Sequence, residues 1–449
     1  MGVMGLEDLE ARIRRLPPGD LMGRVSKVVG LVVESRGPEG SVGEQMLIHL
    51  GDGRRIAAEV VGFQGQQVLL MPIENTEGIR PGLLVEGTGH QPELPVSNAL
   101  LGRVIDPLGR PLDGGPPIEP EAHLPIHGQP PNPMRRRRID QVLATGVRVI
   151  DGMLTLGKGQ RVGVFAGSGV GKSTLMGMVA RNTSAEVNVI ALVGERGREL
   201  REFIENDLGE EGLRRSVVVV ATSDQTPLLR LRCALAGTTV AEYFMRQGKD
   251  VLMMMDSVTR FAMAQREVGL SAGEPPSSRG YTPSVFALLP RLMERAGTFE
   301  DLGSITGLYT VLVEGDDMNE PISDAVRGIL DGHVVLSRRL ATKNHFPAID
   351  VLASISRLFS ALAFPEQKQL VAKIRDLMAT YNDAEDLIQI GAYVKGSSPA
   401  IDQAIHFQPS IQAFLRQAVA EDSNHRQTLL AMGQIFGVDL APYLKATGA

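Results

Sequence analysis

The chain has 449 residues, of which 43% are hydrophobic and 22% are charged. This length predicts several domains, and the composition is that of an ordinary folded protein, which excludes a disordered or fibrous chain. The formal net charge of −6 argues against a protein whose main work is to hold nucleic acid by bulk charge.

The sequence also bounds the compartment. Cys233 is the single cysteine, so no disulfide can form within the chain. The first residues lack a signal-peptide pattern, and no apolar run approaches the roughly 20 residues that span a bilayer. We therefore expect a cytoplasmic protein with at most peripheral contact to the membrane.

Residues 1–20 are predicted to form an amphipathic helix. Leu6, Leu9, Ile13 and Leu16 recur at helical spacing before prolines end the pattern. Such a helix could dock on a partner or an anionic lipid surface, although packing on its own domain is the more common explanation for such a stripe. Both alternatives stay open at this point.

Residues 21–97 are predicted to form a small antiparallel β-barrel, because short Val/Ile/Leu-rich runs alternate with Gly, Pro and Asp turns. A Gly/Pro-rich stretch, residues 108–133, then predicts an extended connector. The four arginines from Arg135 to Arg138 are more typical of a solvated face or a subunit contact than of a nucleic-acid patch in this acidic chain.

Residues 98–365 are predicted to form an α/β domain. Apolar runs separated by helix-sized polar stretches suit strands that are buried on both faces of a parallel sheet. The runs are residues 161–166, 187–193, 217–221, 251–255 and 305–313. Residues 366–449 carry helical patterns instead and are predicted to form a C-terminal helical domain.

The α/β domain contains a glycine-rich turn of the phosphate-binding type, Ala166-Gly-Ser-Gly-Val-Gly-Lys-Ser173, between an apolar strand and a helix-forming run. Glycines let backbone N–H groups face phosphate oxygens, and the helix N-terminus adds a favourable dipole. Lys172 is expected to reach the β- and γ-phosphates of ATP, and Ser173 to complete a Mg²⁺ shell. Ala166 departs from the strict pattern, which has glycine there. The residues predicted to bind the nucleotide in this turn are Gly167, Ser168, Gly169, Val170, Gly171, Lys172, Ser173 and Thr174.

Two acids follow apolar strands. Asp256 ends the run of residues 251–255, at the same edge of the sheet as the phosphate loop, where it can support Mg²⁺. Glu195 follows another buried run and can polarise the attacking water, with Arg196 beside the phosphates. An alternative is a charged helix start in which these residues pair with one another, and spacing alone leaves both possibilities open.

Five segments then resemble the catalytic subunits of the rotary ATPases and, within them, the type III protein-export ATPases. They occur in family order and are Phe165 to Thr174, Gly194 to Glu199, Asp256 to Arg260, Gly273 to Pro283 and Ala353 to Arg357. The resemblance implies a RecA-like P-loop core and a homohexameric ring with active sites at subunit boundaries.

The resemblance also implies residue roles. Lys172 and Ser173 would bind phosphate and Mg²⁺, Asp256 would support the metal, and Glu195 would be the catalytic carboxylate. Arg196 and Arg260 would line the γ-phosphate, while Arg357 would be an arginine finger for the neighbour's nucleotide. Phe346 stands where the family usually has tyrosine, and its ring can still stack on adenine. Because this chain carries both Glu195 and Arg357, a homo-oligomer is expected.

The C-terminal runs, residues 390–404 and 414–417, look more like the flagellar branch than the virulence-type (injectisome) branch. The implied function is ATP hydrolysis that energises export of flagellar proteins and their release from chaperones. The implied partners are a stator-like negative regulator at the N-terminal helix, a coiled-coil stalk, a membrane export gate, and export substrates with their chaperones.

Three rival functions fit the sequence less well. The catalytic subunit of an ion-translocating ATPase would need a sister chain. A hexameric RNA translocase would need a basic, aromatic-bearing barrel, whereas residues 24–95 offer only Phe63 as an aromatic. A scaffold that binds ATP without hydrolysis is disfavoured by Glu195 and Arg357.

Overall fold

The computed structural model describes residues 22–313, 315 and 317–444. The predicted N-terminal helix lies outside these residues, so it stays a prediction. The described residues divide into two compact units. The first comprises residues 22–92, 226–229 and 267–275, and the second comprises residues 93–225, 230–266 and 276–444. The domain boundaries expected after residues 20, 97 and 365 also stay predictions.

The first unit contains a closed antiparallel barrel whose strand order is β1-β2-β5-β4-β3-β6. Its strands are β1 (Met22–Val29), β2 (Val32–Arg36), β3 (Gln45–His49), β4 (Arg55–Gln64), β5 (Gln67–Pro72) and β6 (Leu84–Gly87). Alternate side chains point inward and form its core, among them Val25, Val33, Met46, Ile48, Val60, Leu70 and Val85. The predicted barrel is confirmed.

The second unit has thirteen strands among the described residues. They are β7 (Glu93–Val96), β8 (Val104–Ile105), β9 (Ala122–Pro125), β10 (Val142–Leu143), β11 (Leu156–Gly157), β12 (Arg161–Ala166), β13 (Val187–Glu195), β14 (Ser216–Thr222), β15 (Asp250–Asp256), β16 (Gly297–Thr298), β17 (Ser304–Leu312), β18 (Gly332–Leu336) and β19 (Ile355–Ser356).

The main sheet has the order β19-β18-β12-β17-β15-β13-β14-β8, with β16 beside β17. Every pair in it is parallel except β18 with β19 and β16 with β17. The five predicted apolar runs are all strands of this sheet, as expected for strands covered on both faces. The predominantly parallel sheet is therefore confirmed. β7 lies in the region assigned to the barrel, yet it pairs with β9 inside the predicted connector.

The α-helices described in the chain are α1 (Arg148–Met153), α2 (Lys172–Asn182), α3 (Gly197–Glu202), α4 (Gly209–Arg214), α5 (Pro227–Arg246), α6 (Val258–Ser271), α7 (Pro283–Met293), α8 (Pro321–Ile329), α9 (Arg338–Thr342), α10 (Phe359–Leu362), α11 (Pro365–Gln389), α12 (Pro399–Leu415), α13 (His425–Gln434) and α14 (Ala441–Leu444). A π-helical segment, Phe203–Leu208, joins α3 to α4, and short 3-10 turns cover Asn98–Leu100, Pro133–Arg135 and Ser278–Gly280.

The C-terminal helices α11 to α14 confirm the predicted helical region. α11 begins at Pro365, whose missing N–H is not needed in a first helical turn. The stripes predicted from helical spacing are buried in a core that is shared with the sheet, and they include Leu370, Ile374, Leu377, Ile411, Leu415, Leu429 and Met432. Among the described residues, no helix is both long and apolar enough to cross a membrane.

Candidate active site

The phosphate loop joins the end of β12 to the start of α2. Gly169 and Gly171 adopt positive φ angles of 75° and 90°, a conformation that disfavours residues with a Cβ. No atom lies within 4 Å of the Cβ position at Gly169, so the loop faces open space there. Ala166 is only 1% exposed and packs in the core, which explains why its methyl group is tolerated where the motif has glycine.

A cavity of about 750 Å³ opens beside this loop. Eleven of the predicted site residues line it: Gly167, Ser168, Gly169, Gly171, Lys172, Ser173, Thr174, Glu195, Arg196, Asp256 and Arg260. Val170 instead points into the hydrophobic core, so only its backbone can serve the loop. The cavity is lined by neither Phe346 nor Arg357.

Lys172 and Asp256 meet at the floor of the cavity. The Nζ of Lys172 donates to Oδ1 of Asp256 at 2.5 Å, and the hydroxyl of Thr310 donates to the same oxygen at 2.7 Å. Both charged side chains are largely buried, with 13% and 6% exposed. The ion pair fixes the lysine and the acid at the carboxyl edge of the sheet, as the sequence predicted.

Glu195 lies at the end of β13, next to a register shift between Val193 and Glu195 in the pairing with β14. Gly194 lies at this shift with a positive φ of 69°, so the backbone forms a bulge just before Glu195. The Glu195 side chain is 10% exposed, and its Oε1 lies 3.2 Å from Nε of Arg260. The bulge thus directs a buried carboxyl group into the cavity.

The surroundings of Glu195 raise its pKa to about 7. Burial is the largest cause, and the negative charge of Asp256 adds to it, while Lys172 and Arg260 act in the opposite direction. A carboxyl group with a pKa near neutrality is suited to accept a proton at physiological pH.

The charged residues after Glu195 pair with one another, which is the arrangement that the alternative describes. Arg196 lies at the cavity edge and pairs with Glu199 at 3.1 Å, and both side chains are exposed. The same pattern of local pairs continues along α3. Glu195 itself lies beside the buried Lys172 and Asp256, and it also contacts Glu199 of this charged segment.

Phe346 lies next to the phosphate loop although it does not line the cavity. A Cβ at Gly171 would lie 3.6 Å from the ring atoms Cδ1 and Cε1 of Phe346. The ring is 41% exposed, and the backbone carbonyl of Phe346 accepts from the backbone N–H of Gln417. An aromatic face is therefore available beside the loop.

Arg357 lies at the opposite edge of the sheet. It follows β19, and its backbone N–H donates to the carbonyl of Asp331 at 2.9 Å, just before β18 begins. β18 runs parallel to β12, so Arg357 is level with the start of β12, whereas the phosphate loop follows its end. Five residue steps at ~3.3 Å separate these ends by ~17 Å. The structure does not bring Arg357 to the phosphate loop of its own chain.

Two residues of the site were missed. Arg338 lines the cavity from the start of α9, directly beyond the end of β18, and it could have been found as a polar residue at the carboxyl edge of a parallel sheet. Thr310 lies inside the buried strand β17, where no sequence signal distinguishes it from a packing residue.

A phosphate loop, a buried lysine and acid pair, and a second carboxyl group at the carboxyl edge of a parallel sheet define a P-loop nucleotide-hydrolysing protein. Three family models agree with this class. They are the ATP synthase alpha/beta family, beta-barrel domain, over residues 25–89, the nucleotide-binding domain of the same family over residues 146–356, and the T3SS EscN ATPase C-terminal domain over residues 363–434.

Curated relatives match almost the whole chain. It is 55% identical over 419 residues to the flagellum-specific ATP synthase of Bacillus subtilis, covering 92% of this chain and 95% of that protein. It is 51% identical over 422 residues to the type 3 secretion system ATPase of Xanthomonas euvesicatoria, covering 94% and 95%.

A solved structure matches equally well. The assembled ATPase EscN from the type III secretion system of enteropathogenic E. coli superposes with a TM-score of 0.87 at 44% identity, covering 92% of this chain and 99% of that one. A second structure shows EscN with its central stalk EscO, with a TM-score of 0.85 at 43% identity. The chain belongs to the ATP synthase alpha/beta family, in its type III protein-export branch, and it is a P-loop ATPase. The resemblance expected from the sequence is confirmed.

Proposed function

We propose that this ATPase hydrolyses ATP at the cavity beside the phosphate loop, with Glu195 as the residue that polarises the attacking water. The observation that carries the proposal is the position of Glu195, a buried carboxyl group beside the Lys172–Asp256 pair with a pKa raised to about 7. The cavity of about 750 Å³ is large enough for a nucleotide.

The residues present fit ATP and Mg²⁺. Gly167 to Gly171 present backbone N–H groups and the start of α2 to the phosphates. Lys172 would turn from Asp256 to the β- and γ-phosphates, and Ser173 and Asp256 would hold Mg²⁺. When bound, the metal neutralises charge on the phosphates. Arg260 and Arg196 would line the γ-phosphate, and Phe346 would stack on adenine.

Arg357 is proposed to act on the nucleotide of a neighbouring subunit. It lies ~17 Å from the phosphate loop of its own chain along the strand direction. The relative EscN has been solved in an assembled form. In a homohexamer, each chain would supply Glu195 to the active site at one boundary and Arg357 to the active site at the other.

The test of the water-polarising role compares two variants of one residue type. Glu195→Gln removes the charge from the buried group and should lower kcat by at least about 10² with ATP binding retained. Glu205→Gln is the matched control, since Glu205 is 56% exposed, pairs with Arg201 and is not among the residues that line the cavity. Full turnover by Glu195→Gln would overturn the assignment.

The shared active site has its own test. Lys172→Ala subunits keep the finger, and Arg357→Ala subunits keep the phosphate loop. Mixing the two inactive variants should restore activity, because some boundaries then receive one intact half from each chain. No gain on mixing would contradict a finger that acts between subunits.

We further propose that the ring serves flagellar protein export. The support is the flagellar character of the C-terminal runs and the high identity to flagellum-specific ATP synthases. A virulence-type role is the alternative, supported by the similarly high identity to type 3 secretion system ATPases. Deletion of the gene should abolish filament assembly if the first is correct and leave motility intact if the second is.

The remaining partners follow from this role. EscN binds a central stalk, EscO, and a coiled-coil stalk in the ring pore is proposed for this chain as well. A stator-like negative regulator at residues 1–20, a membrane export gate, and substrates with their chaperones at the helical domain complete the proposal. The protein would then be cytoplasmic and peripherally associated with the membrane at the export apparatus.

A further inference from the structure

Four charged side chains form a network at the amino-terminal edge of the main sheet, opposite the phosphate loop. Arg161 is the first residue of β12, and Asp331 immediately precedes β18. Nε of Arg161 donates to Oδ2 of Asp331 at 3.0 Å, and Nη2 donates to Oδ1 at 3.1 Å. The backbone N–H of Arg161 also donates to Oδ2 at 3.0 Å. This is a two-pronged ion pair, the geometry that fixes direction as well as distance.

A second acid and a second arginine extend the pair. Nη1 of Arg161 is paired with Oε1 of Glu294, and Nη2 of Arg136 donates to Oε2 of Glu294 at 2.9 Å. The side chain of Arg161 is only 14% exposed and that of Asp331 27%. Burial lowers the pKa of Arg161, but the hydrogen bonds and charges of Asp331 and Glu294 raise it by more. The net pKa lies above the usual value, so this arginine stays charged.

Asp331 also holds the segment from which Arg357 projects. Its carbonyl oxygen accepts from the backbone N–H of Arg357 at 2.9 Å and from Nε2 of Gln160 at 3.1 Å. The same Nε2 donates to the hydroxyl of Ser356 at 3.0 Å. A Cβ at Gly332 would lie 2.6 Å from the carbonyl oxygen of Ile355, so the backbones of β18 and β19 approach too closely for a side chain here.

The Arg357 side chain itself is exposed, and its Nη2 donates to the carbonyl of Arg327 at 3.3 Å. The base of the side chain is therefore fixed and its tip is at the surface. A group that acts across a subunit boundary has to be placed accurately, since a displacement of about 1 Å can cost about 10² in rate.

We infer that Arg161 and Asp331 are positioning residues for the finger, because their ion pair sets where the segment after β19 presents Arg357 to the neighbouring subunit. The inference rests on the proposed role of Arg357 between subunits. Arg161 is the first residue of β12, and the phosphate loop follows the end of that strand. The Arg161–Asp331 ion pair therefore connects the nucleotide site of a chain to the finger that the same chain presents to its neighbour.

The first test is Asp331→Asn, which keeps the shape of the side chain and removes its charge. It should lower kcat by roughly 10- to 100-fold, with KM for ATP changed by less than about 3-fold, because the chain's own nucleotide contacts are untouched. The matched control is Asp52→Asn in the barrel, whose side chain is 51% exposed and pairs with Arg54 at 2.7 Å. The control should keep wild-type kcat.

Mixing separates positioning from a general loss of structure. Asp331→Asn subunits retain a complete phosphate loop, so adding Lys172→Ala subunits, which retain a well-placed finger, should raise the rate above that of either variant alone. In an equal mixture about a quarter of the boundaries would combine the two intact halves. No recovery, or a fall in ATP affinity and melting temperature that accounts for the loss, would overturn the inference.

Arg161→Lys is a second variant that keeps the positive charge but lacks the two-pronged geometry. It should show the same kcat defect and the same recovery on mixing, and wild-type kcat in a folded Arg161→Lys ring would overturn the inference. A mixture of Arg357→Ala and Lys172→Ala subunits distinguishes the role of the finger between subunits from the positioning role of the ion pair. If that pair fails to recover, the trans finger is wrong; if it recovers and Asp331→Asn does not, only the positioning role is wrong.

Discussion

At the residue scale, the site is a crowded group of charges in which the buried Glu195 has a pKa raised to about 7. Lys172 donates a hydrogen bond to Asp256 at 2.5 Å, whereas Glu195 lies 3.2 Å from Arg260 and also contacts Glu199. Burial and the neighbouring Asp256 carboxylate both favour the neutral form of Glu195. Glu195 is therefore the acid at this site whose pKa is raised to about 7.

This division predicts a pH dependence of hydrolysis. A group that accepts a proton from water must be ionised, so kcat/KM should rise with pH through about 7, the pKa of Glu195. The check is the pH profile of the wild type beside Glu195→Gln and the control Glu205→Gln, at an exposed residue paired with Arg201. The limb should vanish in the first variant and persist in the second; a flat wild-type profile between pH 6 and about 8 would contradict the assignment.

At the element scale, the bulge at the end of β13 decides where Glu195 points. Gly194 carries a φ of 69°, and a Cβ there would lie 3.2 Å from Cδ of Arg260. A side chain at this position would strain the bulge and press on the arginine that contacts Glu195. The bulge is therefore part of the site rather than an irregularity of the strand.

Gly194→Ala should accordingly lower kcat by about 10-fold or more with ATP binding retained, because the carboxyl group is displaced and the phosphate loop is not. Gly197→Ala is the matched control, since no atom lies within 4 Å of its Cβ position and its φ is not positive. Steady-state rates with binding of a fluorescent ATP analogue provide the measurement. Equal effects of both substitutions would show that the bulge is irrelevant.

The helical region depends on burial of its apolar stripe. Ile374 in α11 is fully buried, so Ile374→Ala should lower the free energy of unfolding by about 2–5 kcal/mol. Ile390 at the end of the same helix is 74% exposed, and Ile390→Ala should change it by less than about 0.5 kcal/mol. Urea unfolding followed by circular dichroism compares them, and equal losses would contradict the packing of α11.

Local patterns in the sequence predicted much of this architecture. Apolar runs mark the strands β12, β13, β14, β15 and β17 to within two residues, because buried parallel strands need continuous apolar side chains. The phosphate loop, Asp256 and Glu195 follow from strand ends that share one edge of a sheet. Their meeting in one cavity required no information beyond that rule.

Other features depend on pairing between distant segments and could not be predicted. β19 has only two residues, too few to show a sequence pattern. The alternation of apolar residues in β7 would be the same whether this strand joined the barrel or paired with β9, as it does. The Arg161–Asp331 ion pair joins residues that are 170 positions apart in the sequence, and neither residue lies in a recognisable motif. Side-chain partners of this kind are decided by the tertiary fold rather than by local sequence.

At the scale of the whole molecule, the proposed roles give each chain two incomplete halves of an active site. The phosphate loop, Lys172 and Glu195 lie at one edge of the sheet, and Arg357 lies at the other. No described element brings these edges together within one chain, so the role proposed for Arg357 requires a second copy to complete the site. A closed ring of identical subunits satisfies every half at once.

A shared active site is tested by the rate of ATP hydrolysis per subunit against protein concentration, with Arg357→Ala beside the wild type and mass determined by light scattering. We expect a steep rise that follows assembly to a six-fold mass and is lost in Arg357→Ala, although that variant still assembles. A rate per subunit that is independent of concentration, or an unchanged rate in Arg357→Ala, would show that the active site is not shared.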